Sequence, residues 1–226
     1  MKITFLGTGA ADWPAERSEK LTDFRHLSSL LIDGVLLIDP GPAVPDALSE
    51  LGKDPEKIRY IINTHRHSDH YSQETVDALT AQNARFFDLK SGDVKQIGGY
   101  TVRAYAGNHS TCENTVHFII TDGDKTLFYG LDGAWIMYDE AQAIIEFKPD
   151  FAVFDATVGW QDGDYRIFEH NNLNMVLEIK KTLDPYIGRF CISHLAYSLH
   201  SSHAVLSQQM EKYGVLVAAD GLEMNI

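Results

Sequence analysis

The amino-acid sequence predicts an α/β fold built from mixed β-sheets covered by helices. Short apolar runs of β type alternate along the chain with stretches whose apolar residues recur at helical spacing. Two turn sequences, Asp33-Gly34 and Asp122-Gly123-Asp124, separate neighbouring strand-like runs and predict hairpins, so part of the sheet structure is antiparallel. Several of the apolar runs are followed at once by His or Asp residues, which places polar chemistry at strand ends.

The strands and helices can be assigned in chain order. The predicted strands are 2–6, 28–32, 35–38, 59–62, 85–88, 100–105, 115–120, 126–129, 151–154, 189–192 and 215–218. The predicted helices are 44–51, 73–81, 140–147, 173–183 and 206–213, the last after Ser202 as a candidate N-cap. Because no long repeat, low-complexity tract or linker rich in Pro, Gly or Ser divides the chain, we expect a single domain over residues 1–226.

Composition limits the compartment and the partners that we expect. The 226 residues are 44% apolar, but no basic leader with a long apolar segment and no apolar run of about eighteen residues is visible, so we expect no membrane association. The two cysteines, Cys112 and Cys191, indicate a reduced, cytoplasmic protein. The net charge of −13, from 32 acidic and 19 basic residues, argues against long nucleic acids as partners. A small anionic substrate stays compatible if dications offset some of the acids.

The strongest chemical signal is a group of ligand-type side chains directly after the predicted strand 59–62. His65, His67, Asp69 and His70 fall within six positions of one another. Imidazole and carboxylate groups are ligands that a borderline cation such as Zn²⁺ prefers, and a loop leaving a strand end can turn all four toward one point. The alternative is a polar surface loop that happens to be rich in histidine.

Three further candidates, His109, Asp132 and His194, also follow apolar strands. Seven potential ligands exceed the three or four that one tetrahedral site uses, so we expect two metal ions per chain with a carboxylate between them. The alternatives are a strand-end histidine bonded to a backbone carbonyl for His109 and His194, and a turn carboxylate before Gly133 for Asp132. His200 is a rival for the last ligand, but it lies six residues beyond His194, which we therefore prefer.

These motifs resemble those of the metallo-β-lactamase superfamily, and the resemblance covers nearly the whole chain. The segment Leu36-Leu-Ile-Asp-Pro-Gly41 is similar to the first motif, with Asp39 holding the histidine loop, and residues 65–70 match H-x-H-x-D-H. The resemblance implies a four-layer αββα sandwich with two mixed β-sheets and the site at one edge. It also implies that Asp132 bridges two metals, the first held by His65, His67 and His109, the second by Asp69, His70 and His194.

A finer resemblance points to one branch of this superfamily. Residues 5–10, 154–157 and 169–174 are similar to segments of the phosphoribosyl cyclic phosphate phosphodiesterase and of the tRNA-maturing endonuclease. By this resemblance His170 is a catalytic residue that acts on the phosphate and the leaving oxygen, whereas the alternative is a histidine that only caps a helix. The chain departs from both relatives, because residues 13–25 replace their cysteine cluster and no tRNA-binding arm is inserted.

The expected function is metal-dependent hydrolysis of a small phosphodiester or cyclic phosphate. Two divalent ions, Zn²⁺ or Mn²⁺ with Fe²⁺ as a third choice, would lower the pKa of a bridging water toward about 7, and Asp69 and Asp132 would orient the hydroxide. His170 would give a proton to the leaving oxygen. The other interpretations are a lactonase or thioesterase, a mononuclear iron sulfur dioxygenase, and a metal-dependent binding module. The resemblance also allows a homodimer.

Overall fold

The computed structural model describes residues 1–18, 21 and 23–226. Glu19, Lys20 and Thr22, which belong to the segment 13–25 discussed above, lie outside the described residues. Strands and helices alternate along the described chain. The strands are β1 (Lys2–Gly7), β2 (Ser29–Ile32), β3 (Leu36–Ile38), β4 (Tyr60–Ile62), β5 (Arg85–Phe87), β6 (Val94–Ile97), β7 (Tyr100–Ala106), β8 (Val116–Thr121), β9 (Thr126–Gly130), β10 (Phe151–Asp155), β11 (Phe190–Ser193), β12 (Val215–Val217) and β13 (Glu223–Asn225).

The strands form two mixed sheets. The first has the order β13-β1-β2-β3-β4-β5 and the second the order β12-β11-β10-β9-β8-β7-β6. Both predicted hairpins are present, since β2 pairs antiparallel with β3 and β8 pairs antiparallel with β9. The strands β3, β4 and β5 are parallel, as are β9, β10, β11 and β12, so the carboxyl ends of each parallel group meet at one edge of its sheet.

Among the described helices, two begin after a residue whose side chain caps the first turn. The helices are α1 (Val44–Glu50), α2 (Gln73–Ala81), α3 (Tyr138–Phe147), α4 (Leu173–Leu183) and α5 (His203–Glu211). The side chain of Ser72 accepts a hydrogen bond from Thr75 N at the start of α2, and that of Asn172 accepts one from Met175 N at the start of α4. Ser202 is the N-cap of α5 as expected, although its side chain makes no capping hydrogen bond.

Three apolar layers hold the sheets and helices together. The largest fills the space between the two sheets and includes Phe5, Phe118 and Tyr129. A second layer packs α3, α4 and α5 against the outer face of the second sheet, and a third packs α1 and α2 against the first sheet. Helix, sheet, sheet and helix therefore lie in succession, which confirms the predicted four-layer αββα sandwich.

Two strands were not predicted from the sequence. Both β6 and β13 lie at sheet edges, and most of their side chains are exposed or partly exposed, so they lack the apolar pattern that identified the others. The remaining strands and all five helices agree with the predicted ones to within a few residues at each end. Among the described residues, no helix is both long enough and apolar enough to cross a membrane.

Candidate metal centre

The predicted ligands lie where strands of both sheets end. Residues 65–70 follow β4 in the first sheet, and His109, Asp132 and His194 follow β7, β9 and β11 in the second. All seven side chains converge at this edge of the sandwich, and most are buried. The loops that carry them reach the same edge from different strands, which brings residues distant in sequence to one place.

The atoms of the seven predicted ligands form two groups of four that share Asp132, and a third group joins Asp132 and His194 to Asp155 and His170. The first group consists of His65, His67, His109 and Asp132, and the second of Asp69, His70, Asp132 and His194. The two oxygens of Asp132 divide their contacts: Oδ2 lies 3.0 Å from Nε2 of both His65 and His70, while Oδ1 lies 3.0 Å from Nε2 of His194. The carboxylate thus stands between the two groups, as the resemblance implies for a bridging ligand.

The backbone is strained at three positions in or beside the cluster. Asp39, Asp132 and His194 have φ values of 61°, 56° and 57°, in the left-handed region that residues other than glycine rarely adopt. Each of them is buried. Such strain persists only where the surrounding structure fixes the backbone, and it is concentrated at functional sites.

Hydrogen-bond partners behind the cluster determine which ring nitrogen of His65, His70 and His194 is free to face a metal. His70 Nδ1 lies 2.9 Å from Asp39 Oδ2, and His194 Nδ1 lies 2.7 Å from Thr157 Oγ1. His65 Nδ1 contacts Thr64 Oγ1 at 3.0 Å. Because Nδ1 donates to these oxygens, Nε2 of each ring is left as the nitrogen that can bind a metal.

Asp39 connects the first sheet to the histidine loop. Its Oδ1 accepts hydrogen bonds from both the backbone N and the Oγ1 of Thr64, each at 2.8 Å, while its Oδ2 accepts from His70. The side chain is fully buried. It therefore holds the start of the loop and orients one ligand, which is the supporting role that the resemblance implies.

Glu169, which the sequence analysis did not single out, orients His109 through its backbone carbonyl and its carboxylate. His109 Nδ1 donates to the backbone O of Glu169 at 3.2 Å, which is the carbonyl contact considered as the alternative for this residue, and it also lies 3.1 Å from Glu169 Oε2. Glu169 Oε1 accepts a hydrogen bond from Ser110 Oγ at 2.6 Å. Thr111 also donates to Glu169 through its backbone N and its hydroxyl. The segment before α4 is thereby fastened to the loop that carries His109. Only this convergence in space marks Glu169, because it lies sixty residues from His109 in sequence.

The donor set fits a divalent cation. His65 Nε2 and Asp132 Oδ1 are buried, yet neither has a hydrogen-bond partner of acceptable geometry among the described residues. His70 Nε2 and His194 Nε2 face each other at 3.1 Å, and His67 Nδ1 faces His109 Nε2 at 3.1 Å. Buried polar atoms without hydrogen-bond partners are costly, and so are ring nitrogens that face each other. Bound dications would accept lone pairs from all of these atoms.

Burial and neighbouring charges shift the pKa values of the clustered histidines in different directions. Burial lowers the pKa of His65 to about 4, and the charge of His70 acts in the same direction. Burial also favours neutral His70, but the nearby carboxylates of Asp132, Asp69 and Asp39 outweigh it and raise the pKa of His70 well above its ordinary value. Since metal ligands must be deprotonated, binding of a metal ion by these side chains would release protons.

His170 lies beside the second group but is not the helix cap, a position that Asn172 occupies. Its Nδ1 is 3.0 Å from Asp155 Oδ2 and 3.4 Å from Asp132 Oδ1, and its ring stacks on that of His194. Burial alone would lower the pKa of His170, but Asp155 raises it above the ordinary value. Asp155, at the end of β10, also accepts hydrogen bonds from the backbone N of Thr157 and of Asn171, so it is itself held in place.

A cavity of about 290 Å³ opens over the cluster. Metal-ligand candidates and His170 line its floor, and the short 3-10 helix Tyr165–Phe168 contributes Tyr165 and Arg166 to its wall. Arg166 pairs with Asp164, with its Nη2 2.6 Å from Asp164 Oδ2. The cavity therefore combines a dense ligand set, a histidine and a cationic side chain.

Two further groups near the cluster are already engaged in other hydrogen bonds. His200 Nε2 donates to Ala156 O at 2.8 Å, and His200 belongs to none of the four-residue groups, so the geometry favours His194 as the candidate ligand. The backbone N atoms of Thr8 and Gly9, in a turn whose amides could face a phosphate, both donate to His26 O. They are therefore not free to bind a substrate.

The superfamily resemblance is supported by a family model. The model described as the metallo-β-lactamase superfamily matches residues 22–73, which include the histidine loop. No curated protein gave a significant match to the chain.

Solved structures of low sequence identity share the fold along the whole chain. Zn²⁺-bound PqqB from Methylobacterium extorquens has a TM-score of 0.76 and 17% identity, with 100% of both chains covered. A new diphosphatase from the PhnP family has a TM-score of 0.73 and 17% identity, covering 100% of this chain and 97% of that one. The short form of human tRNase Z has a TM-score of 0.68 and 17% identity, covering 100% and 99%. The chain is therefore a protein of the metallo-β-lactamase fold.

Proposed function

We propose that this protein is a metal-dependent hydrolase that cleaves a small phosphodiester or cyclic phosphate. The observation that carries the proposal is the pair of four-residue groups sharing Asp132, with His170 beside them at the floor of one cavity. The PhnP-family diphosphatase and tRNase Z, whose names state action on phosphate compounds or RNA, support a phosphate ester rather than an acyl substrate.

The grouping of the side chains supports the ligand roles that the resemblance implies. His65, His67 and His109 would hold one divalent ion, and Asp69, His70 and His194 a second, with Asp132 between them. Bound dications of this kind lower the pKa of a water toward about 7 and stabilise negative charge on phosphate oxygens. Zn²⁺ and Mn²⁺ both suit imidazole and carboxylate ligands, and Fe²⁺ is a third choice. The Zn²⁺ in PqqB is compatible with the first of these.

His170 would supply the proton that the leaving oxygen needs. Asp155 binds Nδ1, which orients the ring and favours its protonated form, so Nε2 is the nitrogen available for proton transfer. Asp69 Oδ2 lies 3.5 Å from Nε2 of both His70 and His194. The side chain also lines the cavity, where it can orient the attacking water.

The position and charge of Arg166 favour an anionic substrate. Arg166 lines the wall of the cavity, and its pairing with Asp164 leaves it partly exposed at the rim. A guanidinium matches phosphate oxygens in geometry as well as charge. We propose a small anionic substrate rather than a long nucleic acid, which agrees with the net charge of −13.

The test is hydrolysis of bis(p-nitrophenyl) phosphate after loading with Zn²⁺ or Mn²⁺, beside a lactone and a thioester. We expect metal-dependent phosphodiester cleavage, and His170→Ala should lower turnover about 10²- to 10⁴-fold while both metal equivalents remain bound. Cleavage of only the lactone or thioester, with no effect of His170→Ala, would assign the protein to acyl hydrolysis. One iron per chain and no hydrolysis would favour dioxygenase chemistry.

A further inference from the structure

A buried pair beneath the metal centre takes no part in the reaction proposed above. His117 on β8 and Glu140 in the first turn of α3 are 1% and 0% exposed. His117 Nδ1 lies 2.5 Å from Glu140 Oε1, and the other oxygen of Glu140 accepts a hydrogen bond from Met137 N at 2.7 Å. The carboxylate is thus fixed by the start of α3, and it in turn fixes one side of the imidazole.

The second nitrogen of this ring binds the backbone next to the shared ligand. His117 Nε2 donates to Leu131 O at 3.0 Å, because a carbonyl oxygen can only accept. Leu131 directly precedes Asp132, whose φ of 56° requires support from its surroundings. The imidazole therefore holds the peptide from which the bridging carboxylate projects.

The ring also occupies the space between two ligand loops. A Cβ atom on Gly133, next to Asp132, would lie 2.6 Å from His117 Cε1. A Cβ atom on Gly107, two residues before His109, would lie 2.8 Å from His117 Nε2. Neither glycine has a positive φ, so what excludes a larger residue at both positions is the close approach of this ring.

The same two loops are joined to each other above the ring. Asn108 Nδ2 donates to Ala134 O at 2.9 Å, and Ala134 N donates to Asn108 O at 3.1 Å. One contact network thus links His117 to the loops that carry His109 and Asp132. Both of those side chains belong to the first metal group, whereas the second group uses only Asp132 of the two.

We propose that His117, oriented by Glu140, is a positioning residue that sets the distance between His109 and Asp132 for metal binding. The inference rests on the metal centre of the proposed function but not on its substrate. Loss of either His117 or Glu140 should therefore weaken the binding of the first metal more than that of the second. General destabilisation of the fold would not produce this selectivity.

The experiment measures the affinity of both Zn²⁺ equivalents by competition with a chromophoric chelator, with circular dichroism confirming that each variant is folded at the assay temperature. His117→Gln keeps a donor side chain but loses the ring, and Glu140→Gln keeps the shape but loses the charge. We expect each to weaken one equivalent about 10- to 100-fold and the other by a smaller factor. His26→Gln is the matched control, since His26 also contacts a glutamate, Glu50, at 3.3 Å but lines no part of the metal cavity.

A second comparison tests the steric contact. Gly133→Ala should weaken the same equivalent, because its Cβ displaces the ring, but it should have no further effect in a His117→Ala background. Additive losses in the double variant, or wild-type affinity for both ions in His117→Gln, would overturn the proposal.

The same preparations separate this inference from the substrate assignment. A wild-type protein that binds two Zn²⁺ ions but cleaves no phosphodiester would remove the proposed activity, while the affinity differences would still decide the role of His117. A wild-type protein that binds no Zn²⁺ would overturn the metal centre and the positioning role together.

Discussion

Replacing Asp39 by asparagine changes one atom of a side chain that supports the cluster. The substitution should weaken the binding of one metal ion. Thr64 N can only donate, so the amide oxygen of the substituted side chain must remain beside it, and the amide NH₂ must then face His70 Nδ1. Either two donors oppose each other, or the proton of His70 moves to Nε2, the nitrogen that faces Asp132. The change removes one charge-assisted hydrogen bond of about 1.5 to 3 kcal/mol.

That loss corresponds to about 10- to 100-fold in metal affinity. Zn²⁺ titration of Asp39→Asn should show the equivalent bound by the His70 group weakened by this factor and the other within a few-fold of wild type. Asp33→Asn is the matched control, because Asp33 also has a positive φ and accepts hydrogen bonds on both oxygens, from Lys2 N and Tyr100 OH, but lies in the β2–β3 turn. Two tightly bound ions in Asp39→Asn would refute the argument that Asp39 sets the state of His70.

Three further predictions concern the ligand choice, the cavity and the fold. His194→Ala should lower the Zn²⁺ content from two to about one per chain, whereas His200→Ala should retain both ions. Arg166→Gln should raise KM for an anionic phosphodiester about tenfold with little change in kcat, since its charge meets the substrate away from the reacting bond. Asp150→Asn should lower stability at pH 7 by less than about 1 kcal/mol, because Asp150 binds Lys125 and Thr126 N, and this difference should vanish in acid.

The pH dependence of the stability difference caused by Asp150→Asn follows from the pKa of the Asp150 carboxyl group. Burial raises the pKa of Asp150, but the hydrogen bonds from Lys125 and from the backbone lower it by more, so the folded value lies below the unfolded value. The stabilisation is therefore present above about pH 4 and is lost as the pH falls further. A difference in stability between the variant and wild type that grows in acid, measured by urea unfolding, would contradict this.

The other two predictions can be contradicted as well. Retention of two ions by His194→Ala would contradict the first, and a fall in kcat alone for Arg166→Gln would contradict the second.

The sequence predicted the elements that bury apolar side chains. Helix α4, for example, repeats Leu173, Val176, Ile179 and Leu183 along its buried face, and its predicted bounds match the structure. Edge strand β6, with the exposed residues Val94, Lys95 and Gln96, has no such pattern and forms because β7 offers its backbone. Hydrogen bonding between distant segments leaves little trace in local sequence.

The same distinction applies to the site. The ligand candidates could be found because they cluster in the loop 65–70 or follow apolar strands. Glu169 and His117 could not, since the first acts through loops sixty residues away and the second is one of several buried residues of β8. Their positions depend on how loops pack over the strand ends. The sequence preferred His194 to His200 because of its distance from the strand end, and the structure brings His194 but not His200 into a group of ligand-type side chains.

Our central proposal is that this edge of the sandwich holds two metals that share Asp132. Crystals soaked in Zn²⁺ or Mn²⁺ and measured on both sides of the metal absorption edge test it directly. We expect two anomalous peaks about 3.5 to 4 Å apart, one among His65, His67 and His109 and one among Asp69, His70 and His194, with Asp132 in contact with both. A single peak, or peaks that leave Asp132 uncoordinated, would contradict it.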